Sequence, residues 1–165
     1  MKRNLSHPLA ALMGLLLLGA ASTQAATNTY TFSGTLDSGV FNGETFSGQF
    51  SFDDAALTGL GDEYLAVDSV NLNFHAQAYT QTHAAAIPEV AFSDGTFLGL
   101  SFSVDSSDPT FSLIPGVTSL AEAYFGYAPS TSDSGYGSVA YTVVEVAVPK
   151  TDAMLLAFLV FIGDV

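Results

Sequence analysis

Residues 29–52, TYTFSGTLDSGVFNGETFSGQFSF, decide the fold class. At each end of this stretch, apolar or small residues alternate with Thr, Ser and Gln, which is the period of two expected of a half-buried strand. The two ends share a local pattern, Phe32 to Leu36 and Phe46 to Phe50. Between them, Asp37-Ser38-Gly39 and Asn42-Gly43 are typical of turns. The stretch therefore predicts a β-hairpin.

The same alternation continues along the central region, where Gly, Asp and Ser turns separate the runs. Further strands are predicted near Val70, Leu98, Phe111, Leu120 and Val139. Pro129–Gly137 is polar and predicted to be a loop, and Ser119–Ala123 is also compatible with a helical turn. No apolar helical spacing persists for three turns within residues 27–148. About seven to nine short strands predict an all-β domain, an antiparallel β-sandwich with a jelly-roll-like strand order.

The first 26 residues predict a secretory signal peptide. Lys2 and Arg3 form a basic start, Leu9–Ala21 is an apolar run, and Thr23 and Ala25 suit a cleavage site. The alternative is an uncleaved N-terminal anchor, but the apolar run is shorter than the roughly 20 residues of a spanning helix. We therefore expect contact with export machinery and signal peptidase.

The charge is strongly one-sided. The chain has 16 acidic residues and three basic ones, Lys2, Arg3 and Lys150, so residues 27–149 contain no Lys or Arg. Such a domain repels phosphate backbones and anionic lipids, which excludes nucleic-acid binding. Cysteine is absent, and no disulfide can form. The 13 Phe and 7 Tyr must therefore supply the core.

The chain ends with an uncharged apolar segment, Ala153–Gly163, after a break at Pro149. As a helix this segment would reach roughly 16 Å, about half of a bilayer's hydrocarbon core. We predict a separate tail, residues 149–165, that forms a short apolar helix. A core strand or core helix is the alternative.

A signal peptide, a Ser-, Gly- and Phe-rich β domain, and Val148-Pro149 before an apolar tail together resemble the PEP-CTERM sorting-signal proteins. Lys150 and Thr151 replace the Glu and second Pro of that family's motif, and the final basic cluster is missing, so the signal is degenerate. The resemblance implies export across the inner membrane of a Gram-negative bacterium and recognition of the tail by an exosortase, a membrane-embedded cysteine peptidase. It also implies delivery to the cell surface or an exopolysaccharide matrix. The membrane would then be met only transiently, through the termini, with retention at the inner membrane before processing.

No catalytic pattern stands out in the central region. The chain has no Cys nucleophile, no Gly-x-Ser-x-Gly elbow and no phosphate-binding loop. A glycoside hydrolase would need two carboxylates, one of them with a raised pKa. Glu63 with Glu89 or with Glu122 would be such a pair.

Two kinds of metal site are considered. His75 and His83 could meet if a hairpin turned through Tyr79–Gln81, although zinc needs three or four ligands. Calcium is the stronger hypothesis, because loop carboxylates and carbonyls are its usual ligands. The calcium candidates are Asp53, Asp54, Asp62, Glu63 and Asp68. We expect no other cofactor.

Four tyrosines near the end of the domain suggest a sugar-binding platform: Tyr124, Tyr127, Tyr136 and Tyr141. Core packing is the alternative role for them. The leading functional hypothesis is a non-enzymatic exported component of the cell surface or of an exopolysaccharide matrix. The first alternative is a polysaccharide-binding, lectin-like module, with or without calcium. The second is a secreted glycoside hydrolase.

Overall fold

A computed structural model describes residues 27–144, which form eleven strands and two short 3-10 turns. The strands are β1 Thr27–Thr35, β2 Thr45–Asp53, β3 Asp62–Ala66, β4 Ser69–Phe74, β5 Gln77–Thr80, β6 Glu89–Ser93, β7 Thr96–Val104, β8 Thr110–Ile114, β9 Tyr124–Ala128, β10 Gly135–Ser138 and β11 Ala140–Val143. The 3-10 turns are Gln81–His83 and Leu120–Glu122. The predicted signal peptide, the tail, and Val148 and Pro149 lie outside the described residues. Between residues 27 and 144, no helix is long and apolar enough to cross a membrane.

The strands form two sheets, and every strand pair is antiparallel. The five-stranded sheet has the order β11-β1-β2-β4-β5, and the six-stranded sheet has the order β10-β9-β8-β7-β6-β3. This confirms the predicted all-β, antiparallel class. The strand order differs from the predicted jelly-roll-like one, because five consecutive strands, β6 to β10, are neighbours in one sheet. From β6 to β10 each strand pairs with the next one along the chain, whereas a jelly roll is built from two Greek keys.

Three local predictions need correction. Pro129–Gly137 was predicted as a loop, but its end belongs to β10, where Gly135 and Gly137 approach the loop after β1 too closely for a side chain. The strand predicted from Leu120 begins only at Tyr124, because Leu120–Glu122 forms the alternative helical turn. The turn between the two histidines lies at His75-Ala76, whose φ angles are 49° and 57°, and not at Tyr79–Gln81.

The predicted hairpin is present as β1 and β2, and the two Phe-Ser-Gly motifs pair with each other. Phe32 lies opposite Gly48, and Gly34 lies opposite Phe46. A Cβ atom at Gly48 would overlap the Phe32 ring and the Asn71 carbonyl oxygen. A Cβ atom at Gly34 would likewise overlap the Phe46 ring. Each phenylalanine therefore covers the glycine of the opposite strand, and this pairing fixes the register.

Aromatic rings from both sheets build one core. Phe46 stacks on Phe125 with ring centroids 4.3 Å apart, and Phe74 meets Phe125 edge-on at 4.9 Å. Tyr79 meets Phe111 edge-on at 4.7 Å. In each pair the first ring belongs to the five-stranded sheet and the second to the six-stranded sheet. The two sheets therefore face each other in a sandwich-like arrangement.

On one side of this arrangement, the segment from β10 to β11 passes from one sheet to the other. β10 belongs to the six-stranded sheet, and β11 follows after Val139 in the five-stranded sheet. Gly137 also bridges to Leu36, just beyond β1. At the far end of β11, Val143 lies opposite Tyr30, and the Val144 N–H donates to the Thr29 carbonyl. Residues 27 and 144 therefore lie at the same end of the domain.

Candidate functional site

The structure divides the four tyrosines into two classes. Tyr124 and Tyr136 are 41% and 59% exposed, while Tyr127 is 4% exposed and Tyr141 is mostly buried. The prediction that all four tyrosines form one exposed platform is therefore wrong. Tyr127 and Tyr141 have the packing role that was its alternative, whereas Tyr124 and Tyr136 expose their rings at the surface.

The two exposed tyrosines flank a glycine on the outer face of the six-stranded sheet. Tyr136 on β10 and Ser112 on β8 both lie opposite Gly126 on β9. Tyr124 lies two residues before Gly126 and so on the same face. A Cβ atom at Gly126 would meet only the Tyr124 ring, at 3.6 Å. We call Ser112, Tyr124, Gly126 and Tyr136 the tyrosine site.

A hollow of about 860 Å³ opens over this site. It extends across β7, β8, β9 and β10, so residues of four neighbouring strands line it. Besides the tyrosine site, its lining includes Ser103, Asp105, Thr110, Ile114, Ala128 and Ser134. Exposed phenol rings beside hydroxyl groups suit a ligand that has both apolar faces and hydroxyl groups, because the rings stack and the hydroxyls donate or accept hydrogen bonds.

Tyr127 supports the hollow from beneath. Its hydroxyl accepts a hydrogen bond from the Phe41 N–H at 2.8 Å and donates one to the Ser38 carbonyl at 2.9 Å. Ser38 and Tyr127 also line the hollow. One buried phenol thus ties the loop between β1 and β2 to the strand that carries Tyr124.

Tyr141 links the two sheets through the core. It lies on β11, and its hydroxyl accepts a hydrogen bond at 3.2 Å from the Leu100 N–H on β7. Burial raises the pKa of the Tyr141 phenol to about 12. The neutral phenol is therefore the form that the folded domain favours.

Two of the three carboxylates proposed for hydrolysis, Glu63 and Glu122, accept hydrogen bonds from nearby loop residues. Glu122 accepts hydrogen bonds from the Thr118 N–H and hydroxyl and from the Val117 N–H, and these bonds lower its pKa to about 2. Bonds from Thr58, first from its N–H, lower the pKa of Glu63. Glu89 lies half-buried on β6. A general acid needs a raised pKa, which is the opposite of the shift at Glu63 and Glu122.

The calcium candidates Asp53, Asp62 and Glu63 each accept hydrogen bonds from a different partner. Asp53 accepts the Ala55 N–H, and Asp62 accepts the Ser93 hydroxyl at 2.7 Å. Asp54 and Asp68 lie in the loops after β2 and β3. Within residues 27–144, no group of three or more His, Cys, Asp or Glu residues is placed to hold a metal ion. The calcium hypothesis stays a prediction.

The two histidines lie near each other, because both belong to the region of the β4–β5 hairpin. They line a hollow of about 300 Å³ together with Asp108. His75 Nδ1 lies 3.2 Å from a Glu44 carboxylate oxygen, and the Thr80 N–H donates to His83 Nδ1 at 3.1 Å. The Ser130 hydroxyl and N–H hydrogen-bond to Asp108 and lower its pKa.

Sequence reasoning missed Ser112 and Gly126, although a signal was present. In Tyr124-Phe125-Gly126-Tyr127, the period of two places Tyr124 with Gly126 and Tyr127 with Phe125. The pairing of Ser112 and Tyr136 with Gly126 depends on strand order, which this pattern does not contain. Comparisons with protein-family models, with curated proteins and with solved structures find no match to this chain.

Proposed function

We propose that this chain is a non-enzymatic, exported component of the cell surface or of an exopolysaccharide matrix, whose β domain binds polysaccharide at the tyrosine site. A single observation carries the proposal: Tyr124 and Tyr136 are exposed next to Gly126, one along its strand and one on the neighbouring strand, beside hydroxyl groups. Sugars present apolar ring faces and many hydroxyls, so they match this combination.

The charge of the domain supports a neutral ligand. Residues 27–149 contain no Lys or Arg, and among the described residues that line the hollow, Asp105 is the one ionisable side chain beside the tyrosines. Acidic polysaccharides would be repelled by such a surface, since no Lys, Arg or His is among the described residues that line the hollow. The proposed ligand is therefore an uncharged polysaccharide.

The export part of the proposal has a different basis. It depends on the signal-peptide pattern before residue 27 and on the degenerate PEP-CTERM-like tail that includes Val148 and Pro149. Signal peptidase and an exosortase are the proposed processing partners. The cell surface or the matrix around it is the proposed destination. Polysaccharide binding and export are separable claims, because they depend on different residues.

The binding claim is tested with purified protein on soluble neutral glucans, galactans and mannans. Tyr124→Ala and Tyr136→Ala are each expected to weaken binding about tenfold, because each removes a stacking ring worth about 1 kcal/mol or more. Tyr64→Ala is the matched control, since Tyr64 is 61% exposed and lies on β3 at the far edge of the same sheet. Equal binding by all three variants, or no binding by the wild type, would contradict the proposal.

A further inference from the structure

The outer face of the five-stranded sheet has a composition unlike the rest of the surface. Its strands place only uncharged polar side chains and one alanine outward over its centre. We call this surface the neutral face, and it consists of Thr31, Ser33, Ser47, Gln49, Asn71, Asn73, Thr80, Ala140 and Thr142. The strand register aligns one complete row across all five strands, in the order Thr142, Thr31, Gln49, Asn71 and Thr80.

A hollow of about 830 Å³ lies over the neutral face, and none of the residues between 27 and 144 that line it is ionisable. This is unexpected in a chain with 16 acidic residues. The neighbouring carboxylates are outside the row. Glu44 precedes β2 at one end, and Asp53 closes that strand at the other end. The neutral face is therefore a grid of hydrogen-bond donors and acceptors on strands about 4.8 Å apart, with carboxylates beyond both ends of β2.

The chemistry of this grid narrows the possible partner. Protein interfaces centre on buried aromatic, Met or Arg anchors, and the neutral face has none of these. Ions need an opposite charge, which is also absent here. A second copy of this acidic chain would bring its own rim of carboxylates against the first. An uncharged polymer that carries many hydroxyl groups can hydrogen-bond to the polar side chains of the grid without these costs.

We propose that the neutral face is a second polysaccharide-binding surface, and that it takes the same class of neutral polysaccharide as the tyrosine site. This inference rests on the proposed function for the choice of ligand class, but it depends on different residues. The two surfaces belong to the outer faces of two sheets that share one core. One domain therefore binds two polysaccharide chains on opposite sides and cross-links them.

Cross-linking distinguishes two surfaces from one. The test uses the wild type, Tyr124→Ala/Tyr136→Ala, Gln49→Ala/Asn71→Ala, and the variant with all four substitutions. Each is mixed with the soluble neutral polysaccharide that the wild type binds. We then measure the affinity of the protein for the polysaccharide and the viscosity of the solution. Wild type is expected to raise the viscosity, and each double variant is expected to lose this effect while still binding. Binding to an immobilised matrix should weaken at least tenfold in each double variant, because avidity is lost, and the quadruple variant should not bind.

The outcomes separate the two claims. If Gln49→Ala/Asn71→Ala cross-links like wild type, the neutral face is not a binding surface and the tyrosine site stands. If the tyrosine double variant keeps wild-type affinity while the Gln49/Asn71 variant loses binding, the proposed function fails and the neutral face stands. A polysaccharide-independent change of oligomeric state in the Gln49/Asn71 variant would assign this surface to a second copy of the chain and overturn the inference. Melting temperatures near that of wild type confirm that each variant is folded.

Discussion

Tyr124 and Tyr127 lie three residues apart on β9, and they have opposite environments. Tyr124 is 41% exposed beside the open position of Gly126, whereas Tyr127 is 4% exposed with both hydrogen-bonding capacities of its hydroxyl used by the loop after β1. One face of the strand therefore carries the tyrosine that we propose for recognition, and the other face carries a tyrosine that holds the fold together. Because an odd spacing reverses the face of a strand, position decides the role of each tyrosine.

The largest expected difference between the two classes is in stability. Tyr127→Ala leaves a cavity in the core and removes the partner of the Phe41 N–H and the Ser38 carbonyl. We expect a loss of about 3–5 kcal/mol in the free energy of unfolding. Tyr124→Ala is the matched control and should change it by less than about 0.5 kcal/mol. Chemical denaturation measures both, and similar losses in the two variants would show that the exposed and buried classes do not differ.

The second difference is in the response to high pH. The folded-state pKa of Tyr141 is about 12, above the ordinary value near 10, so the unfolded chain loses this proton first. The stability contributed by the neutral phenol is fully present below pH 10 and is lost as pH rises to 12, by about 2–3 kcal/mol. Denaturation at several pH values should show the decline, and Tyr141→Phe should make it shallower. Burial also raises the pKa of Tyr30, so some decline is expected in that variant too.

The smallest expected effect isolates recognition from stability. Gly126→Val places a branched side chain in the hollow beside Tyr124, and its Cβ atom meets only the Tyr124 ring at an ordinary distance. Binding to the neutral polysaccharide should weaken about tenfold, or about 1.4 kcal/mol, while the melting temperature stays close to that of wild type. Ala66→Val on β3 is the matched control for a bulkier exposed strand residue. Unchanged binding by Gly126→Val would remove the hollow from the proposed site.

The sequence predicted those features that depend on neighbours along the chain. The pairing of the Phe-Ser-Gly motifs and the strand faces follow from the period of two and from the turn residues between them. The strand order could not be predicted, because the side of β2 on which β4 pairs depends on contacts between distant residues. β10 was missed because its short Gly-rich segment lacks apolar alternation, and its strand geometry depends on close approach to the residues after β1.

The tyrosine site was predicted in part for the same reason. Tyr124 and Tyr136 were among the candidates, but the exposure of each tyrosine is set by the opposite sheet and by the loop that its hydroxyl meets. Tyr127 binds backbone groups 86 and 89 residues away along the chain. No local pattern contains such a partner. Gly126 is informative only after β8 and β10 are known to lie on either side of it.

The pairing of Tyr30 with Val143 has a consequence for any attachment to the domain. Whatever precedes residue 27 and whatever follows residue 144 leaves from a single rim, at the ends of two adjacent strands. Because sheet faces run parallel to their strands, both attachment points lie at the strand ends and away from the centres of the two outer faces. A domain attached through either terminus, or through both, would therefore leave the outer faces of its two sheets accessible to its surroundings.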